Sequence, residues 1–256
     1  LLRVRVSTPL EAAALVDARV RVRGVCFNVH NANRQFVRAS LRVSGPDEIA
    51  VLEAPPPDPF ALTPKRAGEL LQFDPSGFTG HRVHVRGVVT RQQAGDTLWI
   101  RDGDRGLRIV SAQAGDVAPG DEVDVAGFVE HGRYSPVLVD AIFQRRARGT
   151  PPAPIALERF AEAIPHEADL VQLQAELQDV RPGPEGLFLL LNWAGTNVEA
   201  LLPTPAAGSA VAAWTPGSRL QLTGICVLAP RSIVPANGLW SVGRLQLLLR
   251  DAGDLA

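Results

Sequence analysis

One strand phrase written twice limits what this chain can fold into more than any bulk property does. "RVRVRGVC" runs from Arg19 to Cys26, and "RLQLTGIC" runs from Arg219 to Cys226, 200 positions later. Val20 and Val22 in the first copy, and Leu220 and Leu222 in the second, alternate with polar residues at the two-residue period of a half-buried strand. Gly24 and Gly224 interrupt that period at the same point. Three explanations compete: a nucleic-acid-binding strand, a disulfide pair, or one position in a repeated structural module. The flanking sequence favours the module.

"HRVHVRGVVTRQQ" from His81 is strand-like, and "DTLWIRDGDRGLRIV" from Asp96 holds two runs around Asp102-Gly103, a tight-hairpin signal. After the polar "SAQAGDVAPG" come "DEVDVAGFVEHG", with Gly127 in its middle, and "YSPVLVDAIFQRR". The last third repeats this order as "DLVQLQAELQDV", "EGLFLLLNWAG", "TNVEALLP", "SRLQLTGICVL" and "GRLQLLLRDAGDL", with "AAGSAVAAW" a short helical segment between the third and fourth strands. The opening segment supplies only the third to fifth strands, as "LLRVRVS", the helical turn "PLEAAALVDA", "RVRVRGVC" and "RQFVRASLRVSGPDEIAVL". Two proline-led connectors, "PPPDPFALTPKRAGELLQF" and "PPAPIALERFAEAI", each lead into a short helix.

Five strands, a helix or loop after the third, and a glycine bend in the long first strand are the pattern of an OB-fold barrel. The fold expected is therefore all-β: tandem five-stranded OB-fold-like barrels joined by Pro-rich linkers with short helices. A partial module covers 1–55, linkers cover 56–80 and 149–168, and complete barrels cover 81–148 and 169–256. The opening phrase is strand four, and alternation turns Arg19, Arg21 and Arg23 outward. Cys26 and Cys226 then sit in the cores of separate modules, which disfavours a bridge between them. The incomplete first module would expose strand edges. Either residues before Leu1 complete it, or another chain covers it, self-association included. The absence of methionine from all 256 residues also reads as a piece of a longer or processed product.

The chemistry expected is binding rather than catalysis. His81 and His84 fall on opposite strand faces, His30, His131 and His166 are scattered, and the two cysteines cannot make a zinc site. No phosphate loop, metalloprotease helix or nucleophile elbow occurs. Asp102 and Asp104 flank a turn and lack the further oxygens that calcium needs. No catalytic residue, metal or cofactor is expected. Trp99 and Trp193 lie on the second strands of the complete modules, the strand whose outer surface OB-folds use for ligands. Trp99 shares a face with Arg101, near Arg91 and Arg108, and Tyr134 is the one tyrosine. Trp99, Arg101, Arg108 and Tyr134 are therefore the candidate ligand-binding residues. The competing reading packs Trp99 on a barrel end or on a neighbouring module. With 26 basic against 27 acidic side chains, no global positive field favours a polyanion, and no nucleic-acid partner is expected. No apolar run approaches the eighteen or so residues of a membrane span.

The phrases "LVDARVRVRGVC", "DPFAL", "SGFTGHRVHVRGVV", "LWIRDGDRGLRI", "PGDEVDVAGF", "YSPVLVDAIF" and "PGSRLQLTGIC", in this order, resemble the sensory region of bacterial hybrid sensor histidine kinases. The resemblance covers nearly the whole chain and rests on turns, strand glycines and core residues. It implies an extracytoplasmic, periplasmic region of a membrane-anchored kinase. Such a region would receive an unknown small-molecule or protein signal and pass it toward the kinase. It carries over no binding residue. A single-stranded nucleic-acid-binding module and a structural spacer are the alternatives.

Overall fold

The computed structural model describes residues 3–7, 15–72, 80–203, 214–230 and 242–256. Most of "PLEAAALVDA", almost all of "AAGSAVAAW", and Trp240 lie outside the described residues. The chain divides into two compact units, Leu1–Pro59 with Phe78–His81, and Phe60–Gly77 with Arg82–Ala256.

In the first unit, β1 (Arg3–Val6), β4 (Phe36–Val43) and β3 (Val25–His30) form a sheet in the order β1-β4-β3. A separate pair joins β2 (Arg19–Val22) to β5 (Ile49–Glu53). The repeated phrase is thus split at Arg23-Gly24 into β2 and β3. Here β1 runs parallel to β4, with Val6 opposite Val43. Among the described residues β1 and β3 are sheet edges, and Cys26, beside Leu41, is exposed.

The second unit holds two rings of strands. In the first, β6 (Val83–Gln93), β7 (Thr97–Asp102), β8 (Arg105–Val110), β9 (Glu122–His131) and β10 (Pro136–Ala147) close a barrel in the order β10-β8-β7-β6-β9. The long strand β6 serves both halves: Val83–Val88 pair with β9 and Val88–Gln93 with β7. Gly87 sits at the changeover, where an added Cβ would lie 2.8 Å from the Arg101 carbonyl oxygen, so only glycine lets the strands approach so closely. Val85, Val89, Leu98, Ile100, Leu107, Ile109, Val123, Val125 and Leu138 fill the interior.

In the second ring, β11 (Ile155–Ala156) edges a sheet of β12 (Leu170–Gly183), β13 (Gly186–Trp193), β14 (Thr196–Pro203), β16 (Val242–Leu248) and β15 (Arg219–Pro230). An additional β12–β15 pairing joins its ends. Here a bulge between Leu177 and Asp179 bends the first strand, with no glycine needed. Leu173, Leu177, Leu189, Leu191, Leu202, Leu222, Leu245 and Leu247 make its core, with Cys226 fully buried among them. Trp193 belongs to this core and offers no outer face.

All three modules share one topological mark, a parallel pairing of third and fifth strands: β1–β4, β8–β10 and β14–β16. The chain is all-β, with a closed five-stranded barrel and one short helix, α1 (Phe160–Ala163), among the described residues. The connectors are fastened to the barrels by side chains. His84 is 1% exposed and lies 2.7 Å from the Leu62 carbonyl oxygen and 2.6 Å from Asp124 Oδ1. The Ala67 N–H donates to Asp102 Oδ2 at 2.7 Å, so Asp102 anchors the connector as well as the turn.

Candidate functional site: the outer face of the first closed barrel

Alternation along β7 sends Leu98 and Ile100 into the barrel and Trp99 and Arg101 out of it, as the sequence implies. Register then places Arg108 opposite Trp99 and Gly106 opposite Arg101 on β8. This is the surface on which OB-folds take ligands, and here the chain's own Glu167–Leu170 segment lies on it.

Trp99 is only 4% exposed and packs with Ala168, Leu170 and Ile225 of the second ring. The Arg91 guanidinium stacks on it at 4.8 Å from the ring centroid, itself almost fully buried. Trp99 therefore has no free face for a base or an aromatic ligand, and packing on the neighbouring module accounts for it. A Cβ on Gly106 would overlap the backbone of Ala168 and Asp169, so the two segments touch main chain to main chain. Ala168 takes a left-handed conformation (φ 64°) to make that approach. Its N–H donates to the Cys226 carbonyl, and the Cys226 N–H donates to the Asp169 carbonyl, which ties the segment to β15.

Arg101 crosses this seam. Its Nε and Nη2 both reach Asp169 Oδ1 at 2.6 Å, Nη1 donates to the Ala153 carbonyl at 2.6 Å, and Nη2 donates to the Leu170 carbonyl at 2.7 Å. Asp169 is wholly buried, and burial pushes its carboxyl above the usual range although Arg101 pulls it the other way. On the far side Arg91 Nε donates to the Leu249 carbonyl at 3.4 Å, and Arg250 is clamped to Asp254.

The remaining two predicted residues face the same tripeptide. Tyr134, in the β9–β10 turn, packs against the second core. Its phenol is pushed up by burial and by the Glu167 charge. The exposed Arg108 acts electrostatically on Glu167, whose own carboxyl is raised by burial. All four residues thus converge on Glu167-Ala168-Asp169, an internal occupant. Sequence reasoning missed Glu167 and Asp169 because the "HEADL" stretch reads as an ordinary linker end, and nothing in it marks a docking loop. It also left Arg91 on an exposed face.

The first unit carries a different surface. Of its first 45 residues eight are arginine, against only Glu11 and Asp17 as acids, so the even charge balance of the whole chain conceals a segregation. Cross-strand register puts Arg5, Arg38 and Arg42 on one face of β1-β4-β3 together with Val25, Phe27 and Val29. Val25 is 71% exposed, and Arg42 stacks over Phe27 at 5.6 Å.

No protein-family profile matches the chain, and no curated protein matches it. Similar solved structures include a murine DNA-binding protein bound with double-stranded DNA, with 9% identity, 64% of this chain and 90% of that chain covered, and a TM-score of 0.33. Fission yeast Pot1 with single-stranded DNA gives 8% identity, coverage of 77% and 88%, and a TM-score of 0.32. A Replication Protein A heterotrimer bound to single-stranded DNA gives 8% identity, coverage of 88% and 77%, and a TM-score of 0.23. At such values the assignment of fold rests on the barrel topology itself. The expectation that nucleic acid is absent from the partners is corrected to this extent, that complexes with DNA are among the similar structures. The physical flaw in that expectation was to average charge over the chain. Among the described residues no group of three or more His, Cys, Asp or Glu side chains is placed to hold a metal, and no helix is long and apolar enough to cross a membrane.

Proposed function

We propose that this chain is a non-catalytic binding region in which the two rings of the second unit work as one rigid relay body. One observation carries the reading: the barrel face on which an OB-fold would take a ligand is filled by the chain's own Glu167–Leu170 segment and clamped through Arg101–Asp169. Such a face transmits displacement instead of capturing ligand, because a close-packed seam cannot deform gradually. The resemblance to hybrid sensor histidine kinases supplies a place for such a body, as the periplasmic input region of a membrane-anchored kinase. The test is made in the full-length protein. Arg101→Met with Asp169→Leu should alter signal-dependent autophosphorylation while the region stays folded. Unchanged signal response would overturn the relay reading.

The second reading is binding of single-stranded nucleic acid, favoured by the basic, aromatic face of β1-β4-β3. Arginines neutralise phosphates and exposed rings stack on bases. Fluorescence anisotropy with a labelled oligonucleotide decides it. Under this reading the dissociation constant lies below about a micromolar, tighter than the usual non-specific range. It should weaken at least tenfold on joint replacement of Arg5, Arg38 and Arg42 by alanine. Binding indifferent to those changes refutes it.

A further inference from the structure

Beside the sealed seam lies an open cleft that neither reading uses. It has a volume of about 390 Å³, and its walls come from Ala67, Gly68 and Leu71 of the first connector, Tyr134–Pro136 of the β9–β10 turn, and Ile164 and Pro165 of the second connector. Among the described residues of the second unit, the exposed large apolar side chains are Leu71 (40%) and Ile164 (45%), and both border this one cleft. Apolar lips around a concave space are the mark of a small-molecule site.

The polar groups in the cleft are few and of opposite sign. Glu167 lines it and takes a hydrogen bond from the Ser135 hydroxyl. A carboxylate at the wall of a cleft offers acceptor lone pairs to an incoming donor. Arg105 also lines the cleft. It donates Nη1 to the Pro165 carbonyl at 3.3 Å, which fixes the guanidinium at the rim and leaves further N–H groups to meet a carboxylate. A lone cation would feel Arg105 as repulsion, and a lone anion would feel Glu167. A molecule carrying both charges and an apolar body suits both charged groups and the apolar lips.

We propose that this cleft binds a zwitterionic apolar α-amino acid, its ammonium on Glu167, its carboxylate on Arg105 and its side chain between Leu71, Ile164 and Tyr134. The proposal is independent of whether the chain serves a kinase or binds nucleic acid. A typical cleft of this size takes a small ligand with most of its surface covered, and phenylalanine or leucine is of that order.

The experiment is isothermal titration calorimetry on the whole chain with L-phenylalanine, phenylethylamine, which lacks the carboxylate, and 3-phenylpropionate, which lacks the ammonium. L-phenylalanine should bind saturably and at least tenfold more tightly than either analogue. Glu167→Gln should weaken L-phenylalanine and phenylethylamine at least tenfold but spare 3-phenylpropionate, and Arg105→Gln should weaken L-phenylalanine and 3-phenylpropionate at least tenfold but spare phenylethylamine. The ligand series on the unaltered protein stands even if a variant fails to fold. No saturable heat with L-phenylalanine or L-leucine, equal affinity for all three ligands, or indifference of L-phenylalanine to both substitutions would each overturn the assignment.

Discussion

Replacing Arg101 with methionine should be among the most damaging single changes in the second unit. The substitution keeps much of the apolar stem but removes both contacts to Asp169 Oδ1 and the donors to the Ala153 and Leu170 carbonyls. What remains is a carboxylate with no exposed surface. Its surviving partners are the Leu170 N–H at 2.8 Å and a distant His166 Nδ1 at 3.8 Å. Stranding one member of a buried pair costs about 3–5 kcal/mol, against a total of roughly 5–15 kcal/mol for a typical domain. With a urea slope of about 1–3 kcal/mol/M, the midpoint should fall by on the order of 1–5 M. Urea unfolding followed by tryptophan emission measures this, and Trp99 sits on the seam itself. The double variant Arg101→Met, Asp169→Leu should recover most of the loss, because two apolar groups leave no orphaned charge. A single-variant cost below about 1 kcal/mol, the level of an exposed pair, would refute the argument. So would a double variant as unstable as the two single losses added together.

Gly106→Ala should force the two segments apart and cost about 1–3 kcal/mol of stability, read as a lower melting temperature than that of Gly68→Ala, which meets only the Arg105 side chain at 4.0 Å. Leu191→Ala, in the fully buried second core, should cost about 2–5 kcal/mol by the same assay. Burial would raise the Asp124 carboxyl, but hydrogen bonds from Arg86 and His84 outweigh it and hold it below the usual range. A carboxyl lowered on folding stabilises above its unfolded value of about 3.9 and loses that contribution as pH falls through the folded one. Asp124→Asn should therefore flatten the acid limb of the stability–pH curve relative to the parent, while Asp169, raised by burial, acts with the opposite sign in both proteins. A thiol reagent should label Cys26 at once and Cys226 only on unfolding, since Cys226 is buried and its thiol is pushed far up. Equal rates for the two would contradict the placement of either residue.

Much of the architecture was legible because strand and turn signals are local. The period of Val83, Val85 and Val88 and the turn at Asp102-Gly103 are read from neighbours a few positions apart, whereas of the expected breaks at Gly24, Gly127 and Gly224 only Gly24 falls between strands, β9 and β15 running through theirs. Alternation also assigned Leu98 and Ile100 inward and Trp99 and Arg101 outward. The same reasoning could not say what covers an outward face, because burial there depends on partners 68 to 126 positions away, Asp169 and Ile225 among them. It likewise averaged the arginines of the first unit into a neutral whole, since sequence counts charges and only cross-strand register gathers Arg5, Arg38 and Arg42 onto one surface.

The sequence by itself determined an all-β chain, because hydrophobic alternation and turn chemistry act within one strand or hairpin. The tertiary structure alone decided that the first barrel's ligand face is spent on an internal segment, that Cys226 is sealed while Cys26 is open, and that Leu71, Tyr134, Ile164 and Glu167 share one cleft. Those outcomes depend on which distant surfaces exclude water from one another, and that free energy comes into being only when the chain has closed.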